Sequence, residues 1–354
     1  MSARGEGRVS IRSVRYLGTF PHQRTDTWAM VGQDGGQSIP VDGRSLFVFS
    51  DTLLAAAAGP RPSASPPPPA LAHALGREGV FLANAAGMSS GDELRPALAA
   101  IAYFTDDHGF PREILPALER ERLQQIRFWP EHGIEIDGVV HLFYLGIQTI
   151  DPTSLWGFRT LGVGLARLDP ATGRCERLWR RGDWRLWKPL GEDFHLGVQV
   201  LPAGGWLYVF GSVRTGPFHV ARVARVRPAD LARPEAYEHF AGDGPRWSGD
   251  PGAAADLCVS SADFSVSYNP HLERYLMVHV DEYTKVLTLR TAPAPWGPWG
   301  DAQTITRVPH EPESEMVYLG FEHPDFAADA GRTIYVSYCQ PRFRNNSLLT
   351  LTFR

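Results

Sequence analysis

GQDGGQSIPVDGRSLFVFSDT, residues 32–52, carries a pattern that the chain repeats. A polar or acidic opening runs into a short apolar stretch, a Gly- or Asn-centred turn follows, and a strongly β-prone run closes the phrase. It returns as FWPEHGIEIDGVVHLFYLG from Phe128, EDFHLGVQVLPAGGWLYVFGS from Glu192, SADFSVSYNPHLERYLMVHVDEY from Ser261 and YLGFEHPDFAADAGRTIYVSY from Tyr318. The five starts lie 57 to 96 residues apart. A repeat of roughly 40–50 residues or more, with room for several short strands in each copy, is the signature of a β-propeller. Each copy is expected to form the two inner strands of one blade. The predicted fold class is therefore all-β: a five-bladed β-propeller with a central axial pocket and few short helices. The copies span nearly the whole chain, and all-β domains often run long, so residues 1–354 are expected to form one domain.

Composition bounds the function. Hydrophobic residues make up 43% of the chain, enough to fill a sizeable core. The net charge of −4 leaves no basic footprint, so nucleic acid is not an expected partner. With 35 Gly and 29 Pro, tight turns are favoured over long helices. Cys175, Cys258 and Cys339 are far apart and form no CxxC spacing, so three packed, free thiols are expected. No 18-residue apolar run exists and the N-terminal stretch lacks an apolar signal region. The expectation is a cytoplasmic protein with no membrane contact, or a secreted one if a leader has been removed. No Walker-type loop, dinucleotide fingerprint or Gly-x-Ser-x-Gly elbow is present, and no cofactor is expected.

The run VSIRSVRYLGTF near the N-terminus is expected to complete the last blade beside the C-terminal SLLTLTFR. Residues 55–76 are Pro-rich and of low complexity, and read as an exposed insertion. Short helices are expected over 115–125 and 228–240. Trp296 and Trp299 read as packing residues.

Several residues in the openings have the right chemistry for a site. Asp34 sits between glycines, where a ligand or backbone can approach closely. Asp51 follows the run LFVFS. If Gly43 marks a tight turn, the two aspartates lie nine and eight residues either side of it, at the same end of a hairpin. Two carboxyl groups so placed suit acid–base chemistry. An Asx-turn for Asp34 and a strand-end cap for Asp51 remain open alternatives. Further acids occupy comparable places: Glu131, Glu135, Glu192, Asp193, Asp263 and Glu322, with Asp281 and Glu282 matching the place of Asp51. Glu322 stands out, because Pro324 restricts the local backbone and His323 can partner it. His132, His195 and His323 recur at openings. Without an HExxH-type spacing they are expected to hydrogen-bond a sugar hydroxyl or a carboxylate, with no metal. Trp129 can stack on a sugar ring or pack against the first blade. Arg127 can bind an anionic group or pair with Glu131.

Taken in order, GQDGGQSIP with LFVFSDT, RFWPEHGIEIDG, FGSVRTGPFHVARVARV, FSVSYNPHLERYLMV, TAPAPWGPWGDAQ and FEHPDF with YVSYCQP resemble the bacterial domain of unknown function 4185 family. That family is similar in fold to five-bladed-propeller glycosidases, and members are described as endo-D-arabinanases. The resemblance implies a glycoside hydrolase with catalytic Asp34, Asp51 and Glu322. Trp129, Arg127, Glu135, His132, His195, Asp263, Glu282 and His323 are expected to bind substrate. The implied partner is a glycan or other small-molecule substrate. An intracellular propeller cyclase, isomerase or lyase, and a non-catalytic carbohydrate-binding propeller, are the competing expectations, because one fold hosts all three.

Overall fold

The computed structural model of the chain describes residues 8–57, 79–154, 156–189, 192–242, 244–340 and 345–354, apart from the side chains of 192–194. Apolar residues alternate along each phrase, and side chains of a strand alternate between faces. Each of the five phrases accordingly forms an antiparallel hairpin. Trp28–Val41 pairs with Arg44–Ala56, Ile126–Ile136 with Val139–Thr149, and Glu192–Ala203 with Trp206–Thr215. Ser265–Asn269 pairs with Arg274–Val280, and Tyr318–Glu322 with Thr333–Gln340. The turns Asp42-Gly43 and Asp137-Gly138 hold both residues at positive φ (45° and 71°, 52° and 80°). Such two-residue turns match the twist of the flanking strands.

In every sheet the opening strand lies at one end of the strand order, its hairpin partner beside it, and later strands follow. The first sheet adds Ala85–Ser89 and Ala102–Tyr103, the second Phe158–Leu168 and Cys175–Arg177, and the third Phe218–Val226 and Glu238–Phe240. The fourth adds Val286–Ala292 and Gln303–Arg307. The fifth adds Asn345–Phe353 and then the N-terminal strand Ile11–Thr19, as the sequence predicts. The fold is a five-bladed β-propeller.

Two short α-helices occur among the described residues, Leu94–Ala99 and Glu119–Leu123. The second lies within the helix expected over 115–125; the first was not expected. The helix expected over 228–240 is replaced by two 3₁₀ turns, Pro228–Asp230 and Pro234–Ala236, and the strand Glu238–Phe240. A proline inside a longer helix would remove a hydrogen bond and clash with the preceding turn, so Pro234 breaks it. Ala55 and Ala56 complete the strand Arg44–Ala56. The rest of the expected Pro-rich insertion, from residue 58, lies outside the described residues. Among the described residues no helix is long and apolar enough to cross a membrane. Cys175, Cys258 and Cys339 are free thiols.

The chain forms two compact units. The first comprises residues 19–189 and 342–346, the second residues 1–18, 190–341 and 347–354. In the first unit, Ile39, Leu46 and Val48 of one sheet pack in one core with Phe128, Leu142 and Tyr144 of the next and with Trp184, which follows that sheet. In the second unit the fourth sheet is buried on both faces. Leu276, Val278 and Val280 pack against Ile334, Val336 and Leu349 of the fifth sheet, while Met277 packs against Val198 and Phe210 of the third. That double burial is why RYLMV reads as a nearly unbroken apolar run. Trp296 and Trp299 pack against the same third-sheet core, as expected. Arg225 sits 4.3 Å from the ring centres of both Trp206 and Trp247, adding cation–π attraction.

Within each unit the opening strands are neighbours: Trp28–Val41 touches Ile126–Ile136 in one, and Ser265–Asn269 touches both Glu192–Ala203 and Tyr318–Glu322 in the other. Four of the five opening strands also break register. The shifts fall at Gln33/Gly35, Pro130/Gly133, Leu196/Gln199 and Tyr318/Phe321. Bulges of this kind re-aim side chains and are common beside active sites. At Gly35 (φ 83°) an added Cβ would lie 3.1 Å from the Ser50 nitrogen and 3.2 Å from the Phe49 Cα. Gly35→Ala should therefore cost about 1–3 kcal/mol through backbone strain and crowding, read as a lower urea midpoint. An unchanged midpoint would show that the bulge relaxes freely.

Candidate functional site

In the first unit the bulged hairpin places Asp34 opposite the stretch around Ser50 and Asp51, since Gln33 pairs with Thr52 and Gly35 with Phe49. Asp34 is 5% exposed and Asp51 fully buried. Asp51 does not end its strand, as the sequence suggested. The strand runs on to Ala56 because residues 52–56 stay apolar enough to remain in the sheet. A buried carboxylate needs donors. Trp129 Nε1 donates to Asp51 Oδ1 at 2.9 Å, and Arg127 Nε lies 3.7 Å from the same oxygen. Arg127 Nη1 donates to Thr149 Oγ1 at 2.8 Å, and the guanidinium lies 5.5 Å from the Trp129 ring centre. Trp129 also packs edge-on against Phe158 at 4.8 Å. Thus Arg127 and Trp129 join Asp51, and Arg127 takes Asp51 as its ion-pair partner. His132 is buried beside them on the same strand and hydrogen-bonds backbone at Ser38 and Gly133. Burial lowers its pKa to about 4, so the ring is neutral. Tyr103, whose hydroxyl donates to Gln33 Oε1 at 2.8 Å, was not foreseen.

In the second unit the most perturbed carboxyl is Glu322. It is 5% exposed, and burial raises its pKa from 4.5 to about 7, with Asp325 adding to the shift and Ser267 opposing it. Ser267 Oγ donates to Glu322 Oε2 at 2.8 Å, and the Glu322 amide donates to Ser265 Oγ at 2.8 Å. Ser265 and Ser267 project from one face of the neighbouring opening strand. The alternation in FSVSYN could have pointed to them. His323 is fully buried, and its Nε2 lies 2.9 Å from Ser337 Oγ. Burial lowers its pKa to about 3, leaving a neutral ring packed inside its own sheet rather than a donor to substrate.

The same unit gathers His195, Asp263 and Glu282. His195 Nδ1 lies 3.8 Å from Asp263 Oδ1. Glu282 Oε1 accepts from the Ala262 amide at 3.0 Å; burial raises its pKa, and His195 pulls the other way. Next to them Ser261 Oγ, 2.9 Å from His279 Nδ1, donates to the Val280 carbonyl at 2.8 Å. Burial lowers the His279 pKa to about 4.

Other candidates go elsewhere. Glu135 accepts from the Gly138 amide at 2.5 Å, capping the Asp137-Gly138 turn. Six residues separate it from Trp129, roughly 20 Å along the strand. It was expected to bind substrate, and the turn claims it instead. Asp281 closes an Asx-turn on Thr284, accepting its amide at 2.7 Å and its hydroxyl at 2.6 Å. The side chains of Glu192 and Asp193 lie outside the described residues.

The family described as Domain of unknown function (DUF4185) matches residues 20–345, and the chain belongs to it. No functionally curated protein sequence matches. Among solved structures, the chain is similar to a candidate hydrolase from Bacteroides ovatus ATCC 8483 at 15% identity and a TM-score of 0.62, over 93% of this chain and 87% of that one. It is similar to Zg3597, a family 117 glycoside hydrolase from the marine bacterium Zobellia galactanivorans, at 10% identity and a TM-score of 0.52, over 96% and 90%. It is also similar to the catalytic domain of the Coprinopsis cinerea GH62 α-L-arabinofuranosidase, at 8% identity and a TM-score of 0.50, over 97% of both chains. At these identities the likeness establishes a shared fold.

Glu322 makes stability depend on pH with a definite sign. The folded protein retains a proton that an unfolded glutamate loses near 4.5, so the stabilising contribution is present below that value and is lost as pH rises through about 7. Above pH 7 the ionised, buried group costs on the order of 3 kcal/mol. Glu322→Gln, which keeps the shape and can accept from Ser267, should gain stability relative to the parent between pH 5 and pH 8 in urea titrations. A difference constant across that range would contradict the raised pKa.

Proposed function

We propose that this member of the DUF4185 family is a glycoside hydrolase acting on a furanose- or pyranose-containing glycan or glycoconjugate, with arabinan the first polymer to test. The observation that supports this reading most is the contrast between its buried carboxyls. Asp51 faces a guanidinium and an indole N–H, donors that suit an anion. Glu322 keeps a proton to about pH 7. Glycoside hydrolysis requires both types: a carboxylic acid that gives its proton to the glycosidic oxygen as the C–O bond breaks, and a carboxylate that attacks the anomeric carbon or takes a proton from attacking water. Each role is matched to a residue by that residue's own surroundings: those of Glu322 suit the proton donor, and those of Asp51 on the bulged hairpin suit the carboxylate. His195, Asp263 and Glu282 are assigned to substrate hydroxyls. Trp129 and Arg127 position Asp51. The occurrence of glycoside hydrolases among proteins of the same fold is consistent with this assignment, although fold alone does not carry function.

The test is an activity screen on D-arabinan, L-arabinan and aryl glycosides. On whichever substrate the parent cleaves, Asp34→Asn and Asp51→Asn should lower turnover about a hundredfold or more while leaving the circular-dichroism spectrum of the folded chain unchanged. Near-normal turnover in both would remove the aspartates from the mechanism. Glu322→Gln should abolish the alkaline limb of the rate profile.

We also propose that the five sheets act as one domain over residues 1–354. Calorimetry should then give a single transition whose van't Hoff and calorimetric enthalpies agree. Two resolved transitions would separate the units.

A further inference from the structure

We propose that a cleft on the second sheet binds an anionic sugar unit of a saccharide chain. The cleft encloses about 480 Å³ and is lined by Arg120, Arg159, Arg181, Arg185, Trp179 and Gln148, among others. That volume falls within the roughly 300–1,000 Å³ range of small-ligand pockets. It is separate from the Asp51 cluster. Ile126 and Gln148 line it, whereas Arg127 and Trp129 occupy alternate positions of the strand and point to the other face.

The charge balance argues for an anion. The two acids of the lining are already matched: Asp183 pairs with Arg185 at 2.9 Å and Glu121 with Arg177 at 2.8 Å. Arg120, Arg159 and Arg181 form no ion pair among the described residues. Three surplus guanidiniums in one depression, on a chain of net charge −4, make a local positive field. Two of them are held in place. Arg159 donates through Nε and Nη2 to Gln148 Oε1 at 3.0 and 2.7 Å, and Arg120 lies 5.4 Å from the Trp179 ring centre. Arg181 is displayed at the tip of the turn between Arg180 and Asp183, with φ 51°. A planar guanidinium fork matches the two oxygens of a carboxylate or sulfate.

The sugar follows from the rest of the lining. Trp179 is 39% exposed and offers an apolar ring surface, while Gln124 carries an amide suited to hydroxyls. This saccharide component rests on the glycosidase reading; the anion component does not. The oxyanion can be a uronate carboxylate or a sulfate ester, and the test separates the two.

Isothermal titration of the full chain should compare a trigalacturonate, a sulfated trisaccharide, a neutral trisaccharide and inorganic sulfate. At least one acidic trisaccharide should bind, more weakly as salt rises, and the neutral one should not. Arg159→Gln combined with Arg181→Gln should weaken that binding about tenfold or more. Trp179→Ala should weaken the acidic trisaccharide and leave inorganic sulfate unchanged. Asp51→Asn should leave binding intact even where turnover is lost, which separates failure of this site from failure of the catalytic assignment. Absence of acidic-saccharide binding, equal binding of the neutral sugar, or arginine variants that bind as well as the parent would overturn the proposal. Inorganic sulfate binding as tightly as the saccharides would reduce the cleft to a simple ion site and overturn the sugar.

Discussion

A carboxylate with no exposed surface has to be solvated by the protein, and Asp51 shows what that demands. Its donors come from the next sheet, so the first hairpin cannot shift without stripping Asp51 of Trp129 and Arg127. Arg127 in turn is braced by Thr149 at the far end of its own hairpin. The second unit repeats the arrangement with different chemistry. Glu322 is held by the adjoining opening strand, where Ser265 Oγ accepts from its amide and Ser267 Oγ donates to its carboxyl, and with no cation among these partners burial lets the carboxyl keep its proton. In both units polar links tie the opening strands of neighbouring sheets, while apolar side chains such as Leu142 and Val278 join the sheets through their inner faces. The bulges reconcile the two requirements, because each breaks the alternation where a polar group has to be re-aimed.

The hairpins were legible because each phrase carries its period, its turn residues and its length within about 20 positions. The completion of the fifth sheet by the N-terminal strand followed from the same pattern. What escaped was decided by contacts distant in sequence. Asp51 looked like a strand end because it follows LFVFS, yet pairing with Gln33 and its neighbours carries the strand onward. Glu135 looked like an opening residue, but one turn amide claims it. The expected helix over 228–240 failed at Pro234, a signal that was present. The arginine-lined cleft draws on positions 120, 159 and 181, whose proximity no local pattern records.

Proteins share this fold with the chain at only 8 to 15% identity. The architecture tolerates almost complete replacement of side chains. Chemistry does not tolerate it, because a proton held to about pH 7 depends on Glu322 and its particular neighbours. Architecture is thus a weak guide to activity, and the surroundings of individual carboxyls are a stronger one.

The fifth sheet has a further consequence, for biosynthesis. Its outer strand, Ile11–Thr19, precedes its partner, Asn345–Phe353, by more than 300 residues. On the ribosome the early strand waits unpaired while more than 300 further residues are made, since loop closure over that distance must precede any ladder bond. An unpaired edge is a template for association with another nascent chain. Most of its side chains stay solvent-facing even after folding, with Arg12 and Arg15 among them. A charged, weakly apolar strand is the kind that can wait in the open without recruiting the wrong neighbour.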